Sequence, residues 1–145
     1  MPSKSKVYFF FNKKYPSFRK RGRLKKQIEL LFRREGKGLA QLNYIFCSDG
    51  ELLKINRQYL GHDYYTDIVT FDLSETKTET LGEIYISIDR VKDNAAKLGE
   101  SVNVELARVI FHGALHLCGY KDKTQKQQEQ MREKEEEYLS VFKKG

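Results

Sequence analysis

The chain has 145 residues, 39% of them hydrophobic and 32% charged, with a formal net charge of +7. That length fits one domain, residues 1–145, with a useful buried core, and no run approaches the roughly 18 consecutive apolar residues of a membrane-spanning helix. The charge is uneven: residues 1–38 hold 13 Lys and Arg against 2 Asp and Glu, whereas residues 39–145 hold 14 against 18.

A basic N-terminal third suggests a polyanion partner such as nucleic acid. A solvated face that only keeps the protein soluble would carry the same charge, and composition leaves both readings open. Met1 to Lys6 leads into Val7-Tyr8-Phe9-Phe10-Phe11, too short and too aromatic for a signal peptide. Lys6 to Phe11 is β-prone and reads as a first strand. Asn12 to Gly22 is polar and basic and reads as a loop. Leu24, Ile28, Leu31 and Phe32 recur at helical spacing, which predicts a helix over Arg23–Glu35 stopped by Gly36 and Gly38.

Leu39 to Cys47 alternates Leu42, Tyr44 and Phe46 against Gln41, Asn43 and Ile45, the pattern of a strand partly buried on both faces. Ser48-Asp49 caps a helix from about Gly50 to Leu60, with Leu52, Leu53, Ile55, Asn56 and Tyr59 on its more apolar side. Thr66–Leu73 and Gly82–Ile88 read as two further strands. The short polar link between them allows antiparallel pairing, while the two earlier helical crossovers imply parallel neighbours. A helix over Ile88–Leu98 closes at Gly99, and Ser101 caps the next.

That next helix leads into Phe111-His112-Gly113-Ala114-Leu115-His116-Leu117-Cys118-Gly119-Tyr120-Lys121-Asp122. Its two histidines lie four residues apart, so both imidazoles leave one face. Gly119 suits the left-handed end of the helix, and Asp122 is short enough to reach back toward the rings. Two imidazoles and a carboxylate could hold a divalent metal and leave one position for water. Two core histidines bonded to backbone would show the same spacing, and the pair alone leaves both open. From Leu106 to Cys118 the only other non-apolar side chain is Arg108, so the helix is buried and its rings need partners. Gly113 follows His112 where a zincin peptidase has its glutamate. Cys118 points to another face of the helix. Two cysteines do not make a disulfide framework, and Cys47 and Cys118 read as buried thiols in a reducing cytoplasm. Beyond Thr124 a Gln-, Lys- and Glu-rich helix keeps Met131, Tyr138, Leu139 and Phe142 as anchors. The fold expected is α+β: a four-stranded mixed sheet, mostly parallel with one antiparallel hairpin, packed with about five helices.

The segment His112-Gly113-x-Leu115-His116-Leu117-x-Gly119-Tyr120 resembles the signature of the YbeY family of metal-dependent endoribonucleases. Asn56-x-x-Tyr59 followed by Asp63 and Thr66-Asp67-Ile68-Val69-x-Phe71 is similar to the family's second motif, and Leu81-Gly82-Glu83-Ile84-x-Ile86-Ser87 to its third. The match runs from about Leu53 to Asp122. The resemblance implies one zinc ion per chain, below a cleft for single-stranded RNA. It also implies ribosomal RNA processing, including maturation of the 3′ end of 16S RNA, and assembly of the 30S subunit. Neither a membrane nor a DNA partner is expected. Two positions depart from the family: its third histidine falls on Asp122, and an arginine that serves RNA phosphate falls on Leu60.

On this basis His112, His116 and Asp122 are the expected metal ligands, and other divalent ions than zinc fit the carboxylate. Asp67 and Glu83 are candidates for moving protons, with a structural or ligand-supporting role the preferred reading for Glu83. His62 reads as a surface residue. Arg57, three residues before Leu60 on the same helix, could supply the missing guanidinium; an ordinary exposed arginine is the equal alternative. The rival function is a ribosome-binding assembly factor with a structural metal and weak or no nuclease activity. A metal-dependent hydrolase of some small substrate is a further one.

Overall fold

The computed structural model describes residues 5–12 and 20–144. Among them run β1 (Val7–Phe11), α1 (Arg21–Arg34), β2 (Gly38–Cys47), α2 (Asp49–Leu60), β3 (Ile68–Asp72), β4 (Glu79–Ser87), α3 (Ile88–Leu98), α4 (Val102–Leu117) and α5 (Gln125–Lys143). The sheet order is β1-β2-β4-β3. β1 and β2 are parallel, β2 and β4 are parallel, and β3 pairs antiparallel with β4. The fold is α+β with a mixed sheet and five helices, as the spacing of apolar residues predicts. No helix among the described residues is long and apolar enough to cross a membrane.

One crossover differs from expectation. The α1 connection does join parallel neighbours, β1 and β2, but the α2 connection does not. β4 inserts between β2 and β3, so β3 lies one strand away from β2 and runs against it. The β3–β4 turn fixes that pairing, and local spacing in α2 carries no information about which strand fills the gap. β3 is also shorter than predicted, although its ladder continues beyond both ends. Ser87 N–H donates to Asp67 O at 2.9 Å, and Leu73 N–H to Leu81 O at 2.8 Å. Part of the expected loop, residues 13–19, lies outside the described residues.

The two faces of the sheet are unequal. Leu42, Tyr44 and Phe46 of β2 and Ile84 and Ile86 of β4 face the main core, against α1, α3, α4 and α5. A smaller cluster on the other face joins Cys47, Leu52 and Val69 under α2, with Ile55, Phe71 and Tyr85 packed against it. Tyr59 of α2 is not part of it; its ring is exposed and meets Phe71 edge-on at 5.8 Å. Both cysteines are buried.

α4 crosses the main core, and two glycines let it lie close to the sheet. A Cβ on Gly113 would stand 2.9 Å from Ile84 Cδ1 and 3.0 Å from Ile68 Cδ1, and one on Gly82 would stand 2.7 Å from Leu117 Cδ1. A side chain at either position would force these isoleucine and leucine ends to move, because interiors are packed too tightly to absorb a methyl unchanged. Tyr44, fully buried, donates its hydroxyl to Ile110 O at 2.8 Å and fixes the helix from below. Ser101 accepts from Val104 N–H at 3.2 Å and starts the helix.

Candidate metal centre and its cleft

α4 ends one residue past His116, and the way it ends creates the site. Gly119 takes φ +105°, a conformation that glycine adopts without penalty. Tyr120 N–H then donates to Leu115 O at 3.1 Å, closing the last turn. The chain reverses and brings Asp122 back over the helix end. α5 holds it there: Gln128 Nε2 donates to Asp122 O at 3.1 Å, and the Thr124–Gln127 capping box fixes the residues that follow.

Three donor atoms meet as a result. His116 Nε2 lies 3.1 Å from His112 Nε2 and 3.3 Å from Asp122 Oδ2, and His112 Nε2 lies 3.4 Å from the same oxygen. Donors about 2.0–2.1 Å from a tetrahedral zinc lie about 3.3 Å from one another. The triangle therefore fits such an ion with no rearrangement. Among the described residues, His112, His116 and Asp122 form the one group of three or more His, Cys, Asp or Glu whose donor atoms converge closely enough to hold a metal. His62 and Cys118 stand outside it.

The other nitrogen of His112 is also engaged. Its Nδ1 lies 2.6 Å from Glu135 Oε2. With Nδ1–H donating to that carboxylate, the proton stays on Nδ1 and the Nε2 lone pair faces the triangle, as metal ligation by His112 would require. Burial alone would lower the pKa of His112. The hydrogen bond and charge of Glu135, with Asp122 and Asp67 adding to them, raise it above the usual histidine value. Cys118, by contrast, is buried with its thiol pushed up to about 12 by desolvation, too high for a ready thiolate.

The triangle opens into a cleft of about 850 Å³. Asp67 lines it, just before β3, and burial pushes its carboxyl above the usual range against the opposing pull of His112. Leu60 and His62 also line it. Arg57 does not: it is exposed and ion-paired with Asp63. Glu83 stays on the sheet, accepting from Tyr85 O–H at 2.6 Å, and the carboxylate that supports a ligand histidine is Glu135 instead.

Glu135 and Arg108 are among the cleft residues that sequence reasoning did not single out. A signal for Glu135 existed. It falls four residues after Met131 and three before Tyr138, so it sits on the buried stripe of α5, where a carboxylate needs a partner. Arg108 lies one turn before His112 and lines the cleft, with its Nε 3.1 Å from Glu105 and its Nη1 on Glu136.

The family described as Endoribonuclease YbeY matches residues 12–143. The chain belongs to the YbeY family. A relative in Cytophaga hutchinsonii named Endoribonuclease YbeY is 50% identical over 137 residues, 94% of this chain and 96% of the relative. Another of that name in Christiangramia forsetii is 49% identical over 116 residues, 79% of this chain and 80% of the relative. The solution structure of TM1509 from Thermotoga maritima is 29% identical and superposes with a TM-score of 0.65, covering 95% of this chain and 92% of that one. The family match thus extends from residue 12 to residue 143, well beyond the motifs between Leu53 and Asp122.

Proposed function

We propose that this protein is a single-strand-specific endoribonuclease that uses one zinc ion. In this reading it works in the cytoplasm on ribosomal RNA, including the 3′ end of 16S RNA, during assembly of the 30S subunit. The observation that supports the reading best is the convergence of His112, His116 and Asp122 on an open cleft in a YbeY-family chain. A divalent ion bound there lowers the pKa of water toward neutrality and polarises a phosphoryl oxygen.

The chain's own residues divide the remaining work. Glu135 orients His112 and fixes its tautomer. Asp67 is the candidate for moving protons, because it lines the cleft and burial holds its carboxyl above the usual range. Arg57 is a candidate phosphate contact, although it does not line the cleft itself: it stands one turn before Leu60, which does. Its guanidinium would exchange the Asp63 carboxylate for an RNA phosphate, both of which suit its fork.

One observation favours the rival reading of an assembly factor with a structural metal: Leu60 brings no cation to the cleft it lines. Cleavage of a defined single-stranded RNA separates the two. Zinc-loaded protein is expected to cut the strand, to spare the same sequence in a duplex, and to lose activity with His112→Ala or excess chelator. Metal-loaded protein that leaves RNA intact, at the background of His112→Ala, would overturn the nuclease reading and leave the assembly factor.

A further inference from the structure

Charge alone does not explain how the cleft would hold a strand. Asp67, Asp72, Glu105, Asp122 and Glu135 line it, against Arg108 and Lys123. Five carboxylates facing two cations repel a phosphate backbone, even after a divalent ion changes the sign locally. A part of the nucleotide that carries no charge can add attraction that the cleft wall does not offer to phosphate.

The cleft mouth offers such a surface. His62 and Tyr64 both line the cleft, and their rings lie near-parallel, 18° apart with centroids at 5.1 Å. Tyr64 O–H is 2.9 Å from His62 Nδ1, which ties the pair together. Tyr64 nevertheless remains 56% exposed. Exposing a large ring forgoes the burial that would otherwise stabilise it, so an open stacked pair in a functional cleft calls for an occupant.

The loop that mounts these rings is anchored at its backbone. Asn56, 1% exposed, donates its Nδ2 to Tyr64 O at 2.9 Å. His62 N–H donates back to Asn56 O at 3.1 Å, beyond the left-handed Gly61 at φ +65°. Asp63, between the two rings, pairs with Arg57. Tyr65, next along, lies under the Arg90 guanidinium at 5.4 Å. With the loop held in place beforehand, stacking against it loses little conformational freedom.

We propose that His62 and Tyr64 form a nucleobase-stacking subsite, which seats one base of a single-stranded RNA at the mouth of the cleft that holds His112, His116 and Asp122. The subsite rests on the endoribonuclease reading for its ligand class. Stacking on an aromatic ring needs an unpaired, splayed base, so it admits a single strand and refuses a duplex, and it tolerates any base sequence.

The test uses zinc-loaded full-length protein and a 2′-O-methylated single strand in which an abasic residue is walked from position to position. For the wild type, removing the stacked base weakens binding by about 5- to 150-fold at one position, the range of a single base–aromatic stack. Tyr64→Ala is expected to weaken the intact strand to a similar degree and to become indifferent to the abasic residue at that position. Tyr64→Phe, which keeps the ring, restores the sensitivity. Zinc content and melting temperature of both variants report that the fold is retained.

Tyr64→Ala binding the intact strand as tightly as wild type would overturn the subsite, as would losses from the variant and the abasic residue that simply add. A parallel cleavage assay separates this failure from that of the broader reading. Cleavage that persists while binding ignores Tyr64 removes the subsite alone. Binding that depends on Tyr64 with no cleavage removes the nuclease and leaves the subsite.

Discussion

At the scale of single residues, the metal centre rests on a carboxylate that only a chain reversal can deliver. Asp122 contributes one oxygen at 3.3 and 3.4 Å from the two imidazole nitrogens. Asp122→Ala should lower zinc affinity by more than the roughly 10- to 100-fold typical of losing an outer partner, whereas Asp122→His should bind zinc at least as well. Competition with a chelator measures both; full occupancy in Asp122→Ala would move the third ligand elsewhere. Glu135→Gln should fall within that 10- to 100-fold range, and should also change the pH profile. The proton on His112 competes with metal. Its pKa is raised above 6.5, so in the wild type zinc affinity should begin to fall above pH 6.5 as pH descends. Glu135→Gln should shift that fall to lower pH; an unshifted profile would remove Glu135 as its cause. His112, His116 and Asp122 were legible because i, i+4 spacing and a helix-ending glycine are local patterns. Glu135 lay hidden among Glu133, Glu136 and Glu137, and only the stripe it shares with Met131 and Tyr138 sets it apart.

Between elements, a second carboxylate fixes how α1, α5 and the turn after α4 meet. Glu35, at the end of α1, accepts from Tyr120 O–H at 2.7 Å and from Tyr138 O–H at 2.6 Å, with Lys134 Nζ at 3.6 Å. Tyr120 stands two residues before Asp122, so this latch braces the turn that carries the candidate third ligand. Burial alone would raise the Glu35 pKa, but the two tyrosines and Lys134 more than offset it and leave the value below 4.5. A depressed carboxylate contributes stability that is present in full above its unfolded pKa and lost as pH falls through the folded one. Glu35→Gln should therefore cost about 1.5–3 kcal/mol near neutrality, the range for hydrogen bonds to a charged group. The gap from wild type should close as pH drops below 4.5. Melting curves from pH 3 to 7 check this, and a gap independent of pH would show that the charge plays no part. The helices themselves were plain in the sequence, from 3.6-residue periodicity and from the caps Ser48 and Ser101. The latch and the insertion of β4 between β2 and β3 were not, because both depend on residues tens of positions apart that no local pattern links.

Across the whole molecule, charge is divided between a basic N-terminal third and a cleft wall rich in carboxylates. For a protein that acts on RNA, this division separates long-range attraction from the chemistry. On the proposed function, basic residues outside the cleft would gather the strand, and the cleft itself would select by shape, stacking and metal. Binding should then fall steeply with salt, by a slope of about 0.7 per phosphate neutralised on a single strand. The choice of residues for a test follows from the fold. Arg23 donates to Val141 O at 2.9 Å and ties α1 to the end of α5, while Arg21 and Lys25 lie over the rings of Phe11 and Phe9. Reversing these would disturb packing as well as charge. Lys20 and Lys26 are exposed, so Glu at these two positions changes the field with less disturbance of packing. The double variant should bind single-stranded RNA more weakly at low salt, with a salt slope flatter by up to about 1.4, and should converge with wild type at high salt, where the field is screened. Zinc content should not change, since neither belongs to the group that could hold a metal. Binding titrations from 50 to 500 mM salt decide the matter: an unchanged slope would show that the basic third serves solubility alone, and would leave the stacked rings and the metal to hold the strand by themselves.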